Sequence, residues 1–264
     1  MGFLATILEA KRAEVARLAS RRDELAARAS EAPAPRDFAG AIRRRGGELP
    51  SVIAEVKFRS PSKGPLRERA NPGDVVPAWI GERYEAGGAR AISVLCDAAF
   101  FDGSYADLEL VRQAVSLPVL CKEFVIDEVQ VDAARAAGAD AVLLIARILP
   151  GDRLGALAGA VRGRGMLPLV EVVSAAELAV ARAVAADVIG VNSRDLDTFE
   201  VDPRALLELL PAITAPAVAV GMSGVRTPAD LASLARAGAD AALVGEHLMR
   251  AADPGVALAE LLRG

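Results

Sequence analysis

Two lysines, Lys57 and Lys122, stand at the ends of short apolar runs, and carboxylates close similar runs elsewhere in the chain. In Ile53-Ala54-Glu55-Val56-Lys57 the two-residue period of a strand puts Ile53, Glu55 and Lys57 on one face, with Val52, Ala54 and Val56 on the other. Val119-Leu120-Cys121 ends at Lys122, Leu169-Val170 runs into Glu171, Val188 to Val191 ends at Asn192, and Ala217 to Val220 leads to Met222-Ser223-Gly224. Only four of the 31 basic residues are lysines: Lys11, Lys57, Lys63 and Lys122. An amine can release its proton where a guanidinium cannot, so amines set among carboxylates suit general acid and base chemistry. A purely structural pattern, Glu55 paired with Lys57 and Lys122 with Glu171, would supply the same residues. Buried ion pairs stabilise poorly, however, and four ionisable groups around one opening are costly unless used.

A second group of residues suits an anion. Glycine in Met222-Ser223-Gly224 and in Gly245-Glu246 lets backbone N–H groups and a helix start approach a phosphate, and Arg59-Ser60-Pro61-Ser62-Lys63-Gly64 adds hydroxyls and a cation. Other chemistry is excluded. The single histidine, His247, rules out sites that need two imidazoles, and it reads as a packing or surface residue. Cys96 and Cys121 form no C-x-x-C and read as buried free thiols of a reducing cytoplasm, so neither a disulfide framework nor a metal site is expected. A net charge of −4 argues against nucleic acid and anionic membranes, with Arg43-Arg44-Arg45 read as a solvated helix end. No apolar run reaches the ~18 residues of a membrane span, and Glu9 and Lys11 come too early for a secretory signal.

The elements that must position these residues are legible as a repeat. Four apolar runs follow a proline, namely Pro50, Pro118, Pro168 and Pro216, and proline suits the first residue of a strand. Four others follow a small-residue turn: Gly88-Ala89-Arg90, Gly138-Ala139-Asp140, Ala185-Ala186-Asp187 and Gly238-Ala239-Asp240. The two sets alternate, with helical Ala/Leu/Arg stretches between them that start at Asn71-Pro72, Ser174, Asp202-Pro203 and Thr227-Pro228. Eight buried strands alternating with helices predict an α/β fold, a closed (β/α)₈ TIM barrel, in one domain spanning residues 1–264. In it the polar strand ends meet at one mouth. Residues 1–48, with Leu4, Ile7, Leu8, Val15 and Leu18 on one stripe, predict an N-terminal helical extension.

At these residues the chain resembles the indole-3-glycerol phosphate synthase family. The resemblance rests on Ile53-Ala54-Glu55-Val56-Lys57-Phe58-Arg59-Ser60-Pro61-Ser62, Phe101-Asp102-Gly103-Ser104, Cys121-Lys122-Glu123-Phe124-Val125-Ile126-Asp127, Leu169-Val170-Glu171-Val172 and Ile189-Gly190-Val191-Asn192-Ser193-Arg194-Asp195-Leu196, in that order. It implies cyclisation of 1-(2-carboxyphenylamino)-1-deoxyribulose 5-phosphate to indole-3-glycerol phosphate with loss of carbon dioxide and water, in tryptophan biosynthesis, without cofactor or metal. By the same resemblance Lys122, with Lys57 across the mouth, can donate the proton to the carbonyl, the division of steps between the two lysines being left open, and Glu55 and Glu171 stabilise the iminium and take a proton. Asn192 and Arg194 orient substrate, Phe101 packs on its ring, and Ser223 belongs to the substrate-binding set. Ser60, Gly224, Gly245 and Glu246 hold the phosphate, Glu246 through its backbone. The extension is expected to cover the mouth, the enzyme to be a cytoplasmic monomer or weak homo-oligomer, and docking to other tryptophan-pathway enzymes is left open. The family usually carries Glu-Ser-Gly after the seventh strand, where this chain has Met222-Ser223-Gly224. That departure keeps a binding-only or impaired relative in view, beside another phosphate-binding barrel such as phosphoribosylanthranilate isomerase.

Overall fold

The computed structural model describes residues 2–46, 48–69, 76–195, 197–198 and 200–263. The expected helix start at Asn71-Pro72, and Leu196 of the family motif, lie outside them. Eight strands close a barrel: β1 (Ser51–Val56), β2 (Ala91–Leu95), β3 (Val119–Lys122), β4 (Ala141–Ile145), β5 (Leu167–Val172), β6 (Val188–Asn192), β7 (Val218–Met222) and β8 (Ala241–Val244). Every neighbouring pair is parallel, and β1 joins β8 on one side and β2 on the other. The unalternating runs are buried on both faces, one facing the barrel interior and one the surrounding helices. Pro168 departs from the expected position, lying inside β5 one residue after its start.

The predicted helix starts are capped as their residues suggest. The Ser174 hydroxyl accepts from the Glu177 amide, Asp202 precedes Pro203, and Thr227 makes a reciprocal capping box with Asp230. The Gly-Ala-Asp turns have two uses. Gly138 and Gly238 end helices at φ 89° and 90°, a left-handed conformation that a side chain would strain. The aspartates two residues on fasten the lower rim: Asp140 Oδ2 accepts from the Val119 amide at 2.7 Å, and Asp240 Oδ2 from the Ala219 amide at 2.9 Å.

The N-terminal extension does not act as one cover over the mouth. Helix α1 (Phe3–Ala19) borders the mouth, where the Leu4 amide donates to Asp197 Oδ1 beyond β6 and Phe3 meets Phe100 beyond β2. Helix α2 (Arg22–Glu31) instead packs Leu25 against Val129 and Ala133 on the barrel flank. Residues 32–44 then cross the opposite end, with Phe38 and Ile42 buried. There the Arg36 and Arg44 amides donate to Asp140 Oδ1 and Asp240 Oδ1. Each aspartate thus ties the crossing segment to a strand, one oxygen accepting from the amide of Arg36 or Arg44 and the other from the amide of Val119 or Ala219.

Candidate active site

The alternation in β1 delivers Glu55 and Lys57 to the mouth, and β3 ends with Lys122 beside them. Glu55 is the hub: Oε1 lies 2.6 Å from Lys122 Nζ and Oε2 2.6 Å from Lys57 Nζ, with the carboxylate 1% exposed. Burial would push its pKa up, but the Lys122 and Lys57 ammoniums outweigh it and hold the carboxyl down at about 2. Glu55 is therefore a fixed anion between the two amines. Its place is shaped from two sides. The buried Tyr84 hydroxyl donates to the Glu55 carbonyl at 3.0 Å, and Gly245 leaves room for the carboxylate, since a Cβ there would sit 3.0 Å from Glu55 Cδ and closer still to Oε2.

Of the two ion pairs of the purely structural pattern, Glu55 with Lys57 is formed and Lys122 with Glu171 is not. Lys122 turns to Glu55, and Glu171 Oε1 instead accepts from Asn192 Nδ2 at 3.0 Å. Asn192 Oδ1 accepts from the Ser223 hydroxyl at 2.9 Å and the Arg194 amide at 3.0 Å, so Glu171, Asn192 and Ser223 form one hydrogen-bonded row across β5, β6 and β7. Burial raises the Glu171 pKa above the usual carboxylate range, and Lys122 pulls against it. The mouth thus holds two carboxylates pushed in opposite directions, a division that suits one fixed anion and one proton acceptor. Ser223 at φ 73° and Gly224 at φ 84° turn the chain left-handed at this point, a strained serine conformation at the edge of the row.

Two clefts share this charged centre. Glu55, Lys57, Lys122, Arg194, Ser223 and Glu246 line both. The first adds an apolar wall of Leu95, Phe101, Phe124, Leu143 and Ile145, together with Glu171 and Asn192. The second adds Gly224, Arg226, Thr227, Gly245 and the exposed His247. An aromatic ring fits beside the first, and an anion fits among the glycines, arginines and hydroxyls of the second. Ser60 lines the aromatic cleft rather than the glycine one, with its hydroxyl 3.2 Å from that of Ser62. The side chain of Glu246 lies 3.5 Å from Arg250.

Sequence reasoning missed Leu95, Phe124, Leu143 and Ile145, because an apolar residue near a strand end looks like core. Period-two alternation in Leu143-Leu144-Ile145 was the available signal. It also missed Arg226 and Thr227, which follow the glycine turn after β7. Met222 lines neither cleft. It is 1% exposed, between Asn192 and Leu243 in the strand register, with its sulfur in the space that the missing Cβ of Gly190 leaves open.

Among the described residues no helix is long and apolar enough to cross a membrane. Solved structures of N-acetylmannosamine-6-phosphate 2-epimerase from Clostridium perfringens and of thiamine phosphate pyrophosphorylase from Pyrococcus furiosus share the fold. Their TM-scores are 0.61 and 0.58, at 16% and 19% identity, covering 80% and 81% of this chain and 90% and 94% of theirs. Closer in sequence is an indole-3-glycerol phosphate synthase 2 from Streptomyces coelicolor, 46% identical over 263 residues, 99% of either chain. The indole-3-glycerol phosphate synthase of Rhodococcus opacus is 45% identical over 99% of this chain and 95% of its own. The family model of indole-3-glycerol phosphate synthase matches residues 4–261, so with the two lysines, their carboxylates and the flanking clefts in place along that span, the chain belongs to the indole-3-glycerol phosphate synthase family.

Proposed function

We propose that this protein is an active indole-3-glycerol phosphate synthase, cyclising 1-(2-carboxyphenylamino)-1-deoxyribulose 5-phosphate to indole-3-glycerol phosphate. The observation that carries the reading is the chain Lys122–Glu55–Lys57, set between an aromatic cleft and a glycine-rich one. The anthranilate ring lies along Phe101 and Phe124, and the phosphate sits among the Gly224 and Gly245 backbone and Arg226. The ribulose carbonyl then falls beside Lys122. As the ring carbon bearing the carboxylate attacks the carbonyl carbon, the C=O pair moves onto oxygen and takes a proton from Lys122. Glu55 and Glu171 stabilise the iminium formed at the ring nitrogen. The bond to the carboxylate then breaks, carbon dioxide leaves, and the freed electron pair neutralises the iminium. Finally the hydroxyl departs as water with a lysine proton, while the neighbouring methylene carbon gives a proton to Glu171, whose raised pKa suits an acceptor.

A binding-only reading draws on Met222 in place of the family's usual glutamate. The position of Met222, outside both clefts, favours turnover over that alternative. Incubating the purified protein with the synthetic substrate and following indole fluorescence decides between them. Saturable turnover is expected, and saturable binding with no indole signal would overturn the proposal.

A further inference from the structure

Lys11, on α1, has no part in the reaction, yet it is buried as deeply as Glu55, at 1% exposure. Its Nζ lies 2.7 Å from Asp97 Oδ2, 2.8 Å from Glu123 Oε1 and 2.7 Å from Glu14 Oε2. Two of these carboxylates hold the backbone of the aromatic cleft. Asp97 Oδ1 accepts from the amides of Phe100 at 2.6 Å and Phe101 at 3.2 Å, and Glu123 Oε1 from the amide of Phe124 at 2.6 Å. Glu123 directly follows Lys122, whose carbonyl accepts from the Cys96 amide at 3.0 Å. The rings of Phe101 and Phe124 then stand 6.1 Å apart.

We propose that Lys11 is a positioning residue for this reaction, an inference that rests on the roles given above to Phe101 and Lys122. Its ammonium bridges the segment after β2, which carries Phe101, to the segment after β3, which begins at Lys122 and carries Phe124. It thereby sets the ring wall and the proton donor relative to each other. Attachment of α1 alone would not call for such an arrangement. Packed apolar side chains hold a helix at least as well as a buried ion cluster, and Ile7 and Phe3 already pack there. One cation also faces three carboxylates. Burial raises Glu123 to about 7, with Lys11 opposing and Glu14 and Asp97 adding to the rise. Without Lys11 the rise at Glu123 is unopposed and its carboxyl takes up a proton, so the charged bridge that ties the segment after β2 to the segment after β3 is lost.

The test separates position from stability. Lys11→Met keeps the length of the side chain and removes the charge. The expected result is a kcat at least tenfold lower, a KM changed less than threefold, and a cooperative melt, because displacement of the donor by about 1 Å weighs on the chemical step. In Lys11→Ala, propylammonium chloride is expected to restore turnover saturably, whereas equal potassium chloride or propanol is not. Glu123→Gln leaves Lys11 paired with Asp97 and Glu14 and is expected to lower kcat severalfold at unchanged KM. A folded Lys11→Met with wild-type kcat would overturn the inference. If Lys11→Met does not fold, a wild-type kcat in Glu123→Gln would overturn it instead. Wild-type protein that makes no indole sinks the proposed function and this inference together, whereas active wild type with unaffected variants sinks the inference alone.

Discussion

Gly245→Ala probes the charged centre with one methyl group. The glycine sits at φ −127°, outside the left-handed region, and a side chain there meets Glu55 directly. The added Cβ lies 3.0 Å from Glu55 Cδ, 3.1 Å from its Cβ and closer to Oε2, which forces the carboxylate to move by about 1 Å to regain ordinary contact. Glu55 now meets each lysine at 2.6 Å. Lengthening such a pair by about 1 Å at an effective dielectric near 20 weakens it by about 2 kcal/mol. If half or more of that loss falls on the transition state, kcat/KM drops by about 5- to 30-fold. Progress curves of indole formation measure it, with a thermal melt to establish folding and a product titration to show the phosphate cleft intact. The loss is expected mainly in kcat. A folded Gly245→Ala enzyme with kcat/KM within about twofold of wild type would refute the idea that Glu55 geometry controls the two lysines.

Three further outcomes are expected. Lys122→Arg keeps the charge and removes the releasable proton, so kcat falls by orders of magnitude with a modest change in KM; near-normal turnover would make Lys122 a structural cation. Because burial raises Glu171, its base form is lost as pH falls through a range above that of an ordinary carboxylate, so the acid limb of kcat/KM lies above about 4.5 and Glu171→Gln abolishes both the limb and most turnover. A limb at the ordinary carboxylate position would assign the proton acceptor elsewhere. Met222→Glu places a carboxylate in a buried space beside Leu243 and over Gly190, so the melting temperature drops by an amount equivalent to about 1–3 kcal/mol and kcat does not rise; a higher kcat would show that the family's usual glutamate limits this enzyme.

Local pattern was enough wherever a residue's neighbours in the chain decide its direction. Alternation in 53–57 put Glu55 and Lys57 on one face, proline and Gly-Ala-Asp turns marked the strand starts, and Ser174, Asp202 and Thr227 marked helix starts that are capped by those side chains. The repeat closed the barrel, because strands buried on both faces need helices outside and partners on each side. Partnership across the barrel was beyond that reach. Lys122 follows β3 and Glu171 closes β5, and nothing in their spacing says that Lys122 turns to Glu55 while Glu171 turns to Asn192. Nor could it show that residues 32–44 pass beneath the barrel, since an apolar stripe serves either end equally.

The amino-acid sequence by itself determined the barrel and the identity of the amines and carboxylates, because those follow from periodicity and from residue chemistry, and its ordered motifs carried the resemblance to the family. Tertiary structure alone decided which charges meet. It placed one glutamate between two lysines and set the other against Asn192. It also turned Lys11, an ordinary helix lysine on the page, into a buried bridge between the segments that carry Phe101 and Lys122. The physical reason is that ion pairing depends on distances of about 3 Å between residues on different strands, and those distances exist only once the barrel has closed.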